Sequence, residues 1–150
     1  MYRLGADQSR QPEPCLAVSV LTLHDAVELF LQLAAEHLNV STKNDTGFMD
    51  YWERLKQKLG GEGPSQKQAM ARFNKARVGL KHSGIRPSKD DILGYRVSVA
   101  NFFLENTTVF NMEFADATLI NFVKPDSARQ RLMQARTSQE EGNLMDAIVA

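Results

Sequence analysis

Apolar residues recur along this chain at intervals of three and four, separated by short polar or glycine-rich breaks. Residues 1–14 hold Gly5, Pro12 and Pro14 among scattered charges, which predicts a mobile or extended leader over 1–15. Leu23, Ala26, Val27, Phe30, Leu33, Ala34 and Leu38 then follow at helical spacing. Thr22 reads as the N-cap of this helix, with Asp25 at the third helical position. The stripe is broad enough for the centre of a bundle. After a polar break over 40–47, a second helix is expected over 48–59, apolar at Phe48, Met49, Trp52, Leu55 and Leu59. Gly60, Gly61 and Gly63-Pro64 stop it. Ser65, with Gln68 three residues on, is expected to cap a third helix whose apolar stripe is Ala69, Phe73, Ala76 and Leu80. Gly84 and Pro87 end that helix. Ser88 and Asp91 form a further capping box, opening a fourth helix with Ile92, Tyr95, Val99, Phe102, Phe103 and Phe110. A short helical segment over 115–123, a break at Pro125 and a helical pattern over 127–150 interrupted near Gly142 complete the reading.

No stretch alternates as a half-buried strand does, so the expected class is all-α. The simplest architecture is an up-and-down bundle of four to five helices over 16–124, followed by a C-terminal helical segment over 125–150. A length of 150 residues suits one domain with a core that needs no disulfide or metal staple. The apolar pattern of Leu144, Met145, Ala147, Ile148 and Val149 runs to the last residue. It suggests a longer parent chain, or a segment that docks on a partner domain or protein.

Charge changes the picture. The chain carries 18 basic and 18 acidic residues, a formal net charge of zero. Residues 1–53 hold three basic and eight acidic residues, and residues 90–150 hold five and nine. Residues 54–89 hold ten basic residues and a single acid, Glu62, for a net charge of +9. A neutral chain therefore has a basic centre, either an ordinary solvated face or an electrostatic footprint for phosphate. No run of about 18 apolar residues suggests a membrane span. The single cysteine, Cys15, and the lack of a signal-peptide pattern fit a cytoplasmic protein.

Most catalytic motifs are missing. His24, His37 and His82 show no metal-ligand spacing with one another or with Cys15, so no metal or cofactor is expected. Neither a phosphate-binding glycine loop nor a nucleophile elbow is present. His24 and His37 read as ordinary helix residues. His82 differs, because it ends the third predicted helix inside the basic stretch. With Asn74 set at 0° on a helical wheel, Arg77 falls at about −60°, Lys81 at about −20° and His82 at about 80°. The stripe of Ala69, Phe73, Ala76 and Leu80 occupies about 200–260°. One face thus gathers Asn, Arg, Lys and His. It is either a solvated helix end or a minimal set for acting on a phosphodiester, since guanidinium binds phosphate and imidazole moves protons near neutral pH.

The segment Arg77-Val78-Gly79-Leu80-Lys81-His82 resembles the R-x4-6-H motif of HEPN domains, and residues 19–31 are similar to a HEPN first helix. The resemblance covers residues 18–110. It implies a small helical bundle that acts as a metal-independent endoribonuclease in phage defence, toxin–antitoxin or RNA-processing systems. It also implies a homodimer in which two motifs share one cleft. Arg77 and His82 would then be the catalytic pair and Asn74 and Lys81 would bind phosphate, with Arg72, Lys75, Arg86 and Lys89 along the RNA path. A toxin subgroup carries a modifiable tyrosine two residues after the histidine; Gly84 stands there in this chain. Other HEPN domains are non-catalytic RNA- or protein-binding modules of larger proteins, which is the alternative expectation. A purely structural adaptor docking on an acidic surface is the third.

Overall fold

The structure, a computed structural model, describes residues 1–43, 45–111, 114 and 126–142. The described residues are helical, with no strand among them. They comprise α1 (Tyr2–Gln8), α2 (Cys15–His37), α3 (Asp50–Lys56), α4 (Lys67–Ser83), α5 (Lys89–Asn106), a 3-10 turn (Thr107–Phe110) and α6 (Asp126–Glu140). The chain divides into two compact units, Met1–Asn111 and Met112–Ala150.

In the first unit the core is built around α2. Val20, Leu23, Val27 and Leu31 are fully enclosed, and Ala17, Ala26, Phe30, Ala34 and Ala35 are buried beside them. Burial on so many sides marks a central helix rather than a one-faced surface helix. The same residues give α2 a mean hydropathy of 1.5, enough by length and composition to cross a membrane. Yet 56% of that stretch is buried within the unit, as in the core helix of a bundle. Around it pack Tyr51, Trp52 and Leu55 of α3, Met70 and Phe73 of α4, and Ile92, Val99, Phe102 and Phe103 of α5. Phe30 meets Phe102, Phe103 and Phe110 edge to face, with ring centroids 5.2, 5.6 and 5.3 Å apart.

Several boundaries differ from the sequence expectation. The extended leader is corrected first: Tyr2–Gln8 is a helix. Gly5 and Ala6 are buried, and a Cβ on Gly5 would sit 2.8 Å from Leu23 Cγ. The glycine that reads as a breaker is a point of close approach between α1 and α2. Tyr2 adds an edge contact to Phe103, centroids 5.3 Å apart. Thr22 does not cap α2, which already begins at Cys15; Thr22 is buried in its interior. Ser65 does not cap α4 either. Its N–H donates to Asn106 Oδ1 (2.9 Å), and its hydroxyl accepts from Asn106 Nδ2 (2.8 Å), so it ties the α3–α4 loop to the end of α5. Gln66, in the left-handed region, precedes α4 instead. The second expected helix is shorter than 48–59, because its last residues leave the α-helix through turns into the glycine loop. Gly63 has φ +73°, and a Cβ there would lie 2.8 Å from the Trp52 carbonyl oxygen.

Two local signals hold as read. Ser88 and Asp91 form the reciprocal capping box of α5. Gly84, at φ +67°, ends α4 in a left-handed cap, its N–H reaching the Leu80 carbonyl at 3.2 Å.

In the second unit α6 starts with an Arg129–Asp126 pair at 2.6 Å and ends before Gly142, which has φ +79°. The helical segment expected over 115–123, the break at Pro125 and the apolar pattern at 144–149 lie outside the described residues.

Candidate functional site

The site is organised by α4. Met70 and Phe73 are buried, whereas Ala69, Ala76 and Leu80 are only half-buried. Met70 lies at about −40° on the wheel, so the buried arc centres at about −70°, almost on Arg77. Asn74 and Arg77 therefore lie half-buried beside the face that meets α2.

What they meet is His24, which periodicity alone had left as an ordinary helix residue. Its side chain is only 2% exposed. The ring stacks on Phe48 at a centroid distance of 4.2 Å and tilts against Phe73 at 5.9 Å. Nε2 lies 2.9 Å from Asn74 Oδ1, an arrangement in which the ring donates to the amide oxygen. Nδ1 faces Glu28 Oε2 at 3.6 Å, one helical turn along α2. Burial pushes the His24 pKa below its ordinary 6.5, opposed by the hydrogen bond to Asn74; the Arg77 guanidinium lowers it further, while Glu28 and Asp25 act the other way. Arg77 is half-buried, and its Nε is enclosed without a hydrogen-bond partner. The structure thus brings His24, Glu28, Asn74 and Arg77 into one polar cluster within an otherwise apolar contact between α2 and α4.

The remaining expected residues behave differently. Arg72, Lys75, Lys81, His82, Arg86 and Lys89 are all exposed. None makes a salt bridge among the described residues, where Lys67–Glu53 at 2.6 Å is the ion pair formed by α4. Lys81 and His82 occupy the last turn, where positive charge complements the carbonyl end of the helix dipole. His82 stands five positions on from Arg77, which is about 140° of rotation and about 7.5 Å of rise. Within one chain, then, Arg77 leans into the bundle while His82 stands out in solvent. Gly84, two residues after His82, has φ +67°, and its left-handed backbone disfavours any side chain there.

The site residues that sequence reading missed are His24 and Glu28. Their signal was a polar pair at i, i+4 within an apolar stripe, opposite an asparagine on another amphipathic helix.

The chain matches no protein-family model, no curated protein and no solved structure.

Proposed function

We propose that this chain is a HEPN-like helical bundle acting as a metal-independent endoribonuclease, with a composite active site formed by two copies. The observation that carries this reading is the exposed row of cations on α4 and the start of α5, without ion pairs among the described residues, with His82 at its solvent end and Arg77 half-buried. A polyanion is the natural counterpart of such a row. RNA supplies its own nucleophile, the 2′-hydroxyl. In the proposed step an imidazole of His82 removes the 2′ proton as that oxygen attacks phosphorus, and the P–O5′ bond breaks. The departing 5′ oxygen takes a proton from the second copy's imidazole or from water. Arg77 binds the phosphate oxygens as charge builds on them. Because Arg77 and His82 diverge within one chain, the cleft needs a second copy to place arginine and histidine on one phosphate. The chemistry calls for no cofactor, and the cellular setting that suits it is the cytoplasm.

The test is cleavage of a defined RNA in EDTA by the full chain. The expected products end in 2′,3′-cyclic phosphate, and Arg77→Ala and His82→Ala each abolish the reaction. Cleavage that persists in both variants overturns the assignment. The divergence of Arg77 from His82 also favours one second reading, a non-catalytic RNA- or protein-binding module. Salt-dependent RNA binding without cleavage, by a chain shown to dimerise, decides for that module.

A further inference from the structure

Two acceptors confront each other on α2. His24 donates its Nε2 proton to Asn74 at 2.9 Å, which leaves a lone pair on Nδ1. That Nδ1 is buried and has no hydrogen-bond partner among the described residues. It faces the Glu28 carboxylate at 3.6 Å. At 3.6 Å a neutral imidazole nitrogen and a carboxylate oxygen, both acceptors, call for a shared proton, water or cation between them. Asp25 brings a second carboxylate, and the donor atoms of His24, Asp25 and Glu28 all fall within 4.8 Å of one another.

We propose that His24 Nδ1, Glu28 and Asp25 form a binding site for a divalent transition-metal cation of the zinc class. An ion about 2.1 Å from both Nδ1 and a Glu28 oxygen at the present spacing would see them at an angle of about 120°, close to tetrahedral. Asp25, exposed on the next position of the helix, closes the third ligand by side-chain rotation and leaves the fourth position to water. Asn74 supplies what metal-bound histidines ordinarily have, a carbonyl oxygen that takes the other ring proton and fixes the tautomer. Arg77 opposes a dication from α4, but two carboxylates outweigh one guanidinium. The N/O donor set favours zinc over calcium or magnesium, which prefer oxygen ligands alone. This site does not rest on the ribonuclease reading and takes no part in that chemistry.

The experiment is calorimetric titration of the chelator-stripped full chain with Zn²⁺, repeated with Co²⁺ while recording visible absorption. The expected result is a single saturable site with tetrahedral-type Co²⁺ bands. It is retained when the other zinc-seeking side chains are removed together (Cys15→Ser, His37→Gln, His82→Gln). Affinity falls about tenfold or more in Glu28→Gln, a half-exposed position where the isosteric amide leaves the fold intact, and by a similar factor in Asn74→Ala. No saturable uptake, or uptake unchanged in Glu28→Gln, overturns the proposal. Uptake lost only in the Cys15/His37/His82 variant overturns it as well. RNA cleavage is assayed in EDTA, so failure of either idea leaves the other readable.

Discussion

His24 Nε2 and Asn74 Oδ1 lie 2.9 Å apart and join the centre of α2 to α4 by a hydrogen bond. The ring lies against Phe48 and Phe73 and is only 2% exposed. Removing the amide leaves a buried ring N–H unsatisfied, a loss of about 1–3 kcal/mol. Asn74→Ala is therefore expected to lower unfolding free energy by about that amount in urea titrations made in EDTA. Asn74→Leu paired with His24→Leu is expected to recover part of it, because both polar groups then leave together. Equal additivity of the two single changes would show that the hydrogen bond carries no coupling.

The same burial sets a pH dependence. The His24 pKa lies below 6.5 in the folded chain, chiefly through desolvation, with Arg77 adding to the effect against Asn74, Glu28 and Asp25. In the unfolded chain the ring protonates at its ordinary value. Below that value the unfolded state therefore binds more protons than the folded state, and stability falls as the pH drops. The loss continues until the pH passes the folded-state pKa, with a limiting slope of about 1.4 kcal/mol per pH unit. Denaturant melts between about pH 5 and pH 8 are expected to show this decline, and His24→Gln to flatten it by up to one proton. A slope unchanged in His24→Gln would assign the acid sensitivity to other groups.

Legibility followed range of interaction. The Ser88–Asp91 box and the Gly84 cap are local, involve residues within one turn, and stand where the pattern places them. Thr22 and Ser65 have the right residue type for caps, but tertiary neighbours decide otherwise. The apolar run extends upstream of Thr22 to Cys15, and Asn106, far along the chain, claims Ser65. For the candidate site, α4 and its basic character were readable, yet the orientation of Arg77 was not. The wheel built on Ala69, Phe73, Ala76 and Leu80 omits Met70, and Met70 rotates the buried face onto Arg77. His24 was invisible because a histidine inside an apolar stripe reveals its role only when its partner across the bundle is known.

The N-terminal helix gives a separate test. Gly5 meets Leu23 so closely that a Cβ would stand 2.8 Å from Leu23 Cγ and 3.1 Å from its backbone nitrogen. The backbone contact cannot be relieved by a rotamer change. Gly5→Val is expected to cost about 1–3 kcal/mol through overpacking, or to release α1 from α2. Hydrogen exchange of the Ser9 amide, whose proton bonds the Gly5 carbonyl at 3.0 Å, would accelerate in step. Unaltered stability and exchange in Gly5→Val would restore the unstructured leader that composition suggested.

The exposed cations make the last prediction quantitative. Arg72, Lys75, Lys81, Arg86 and Lys89 stand in solvent without ion pairs among the described residues, so each phosphate they engage would release condensed counterions from RNA. Binding to single-stranded RNA is expected to weaken linearly on a log–log salt plot, with a slope of about −0.7 per phosphate contacted. Lys81→Ala and Lys75→Ala are each expected to reduce the magnitude of that slope by about one contact's worth and to lower affinity without regard to sequence. Arg3→Ala, distant in sequence and in the acidic N-terminal third, is expected to leave it unchanged. Because Arg77 is half-buried, its removal is expected to lower stability through lost packing of its stem as well as binding, unlike the loss of an exposed lysine. Fluorescence anisotropy from about 50 to 200 mM salt, alongside thermal melts, separates the two effects. A slope insensitive to Lys75 and Lys81 would remove α4 from the nucleic-acid path and leave the basic stretch as a solvated face.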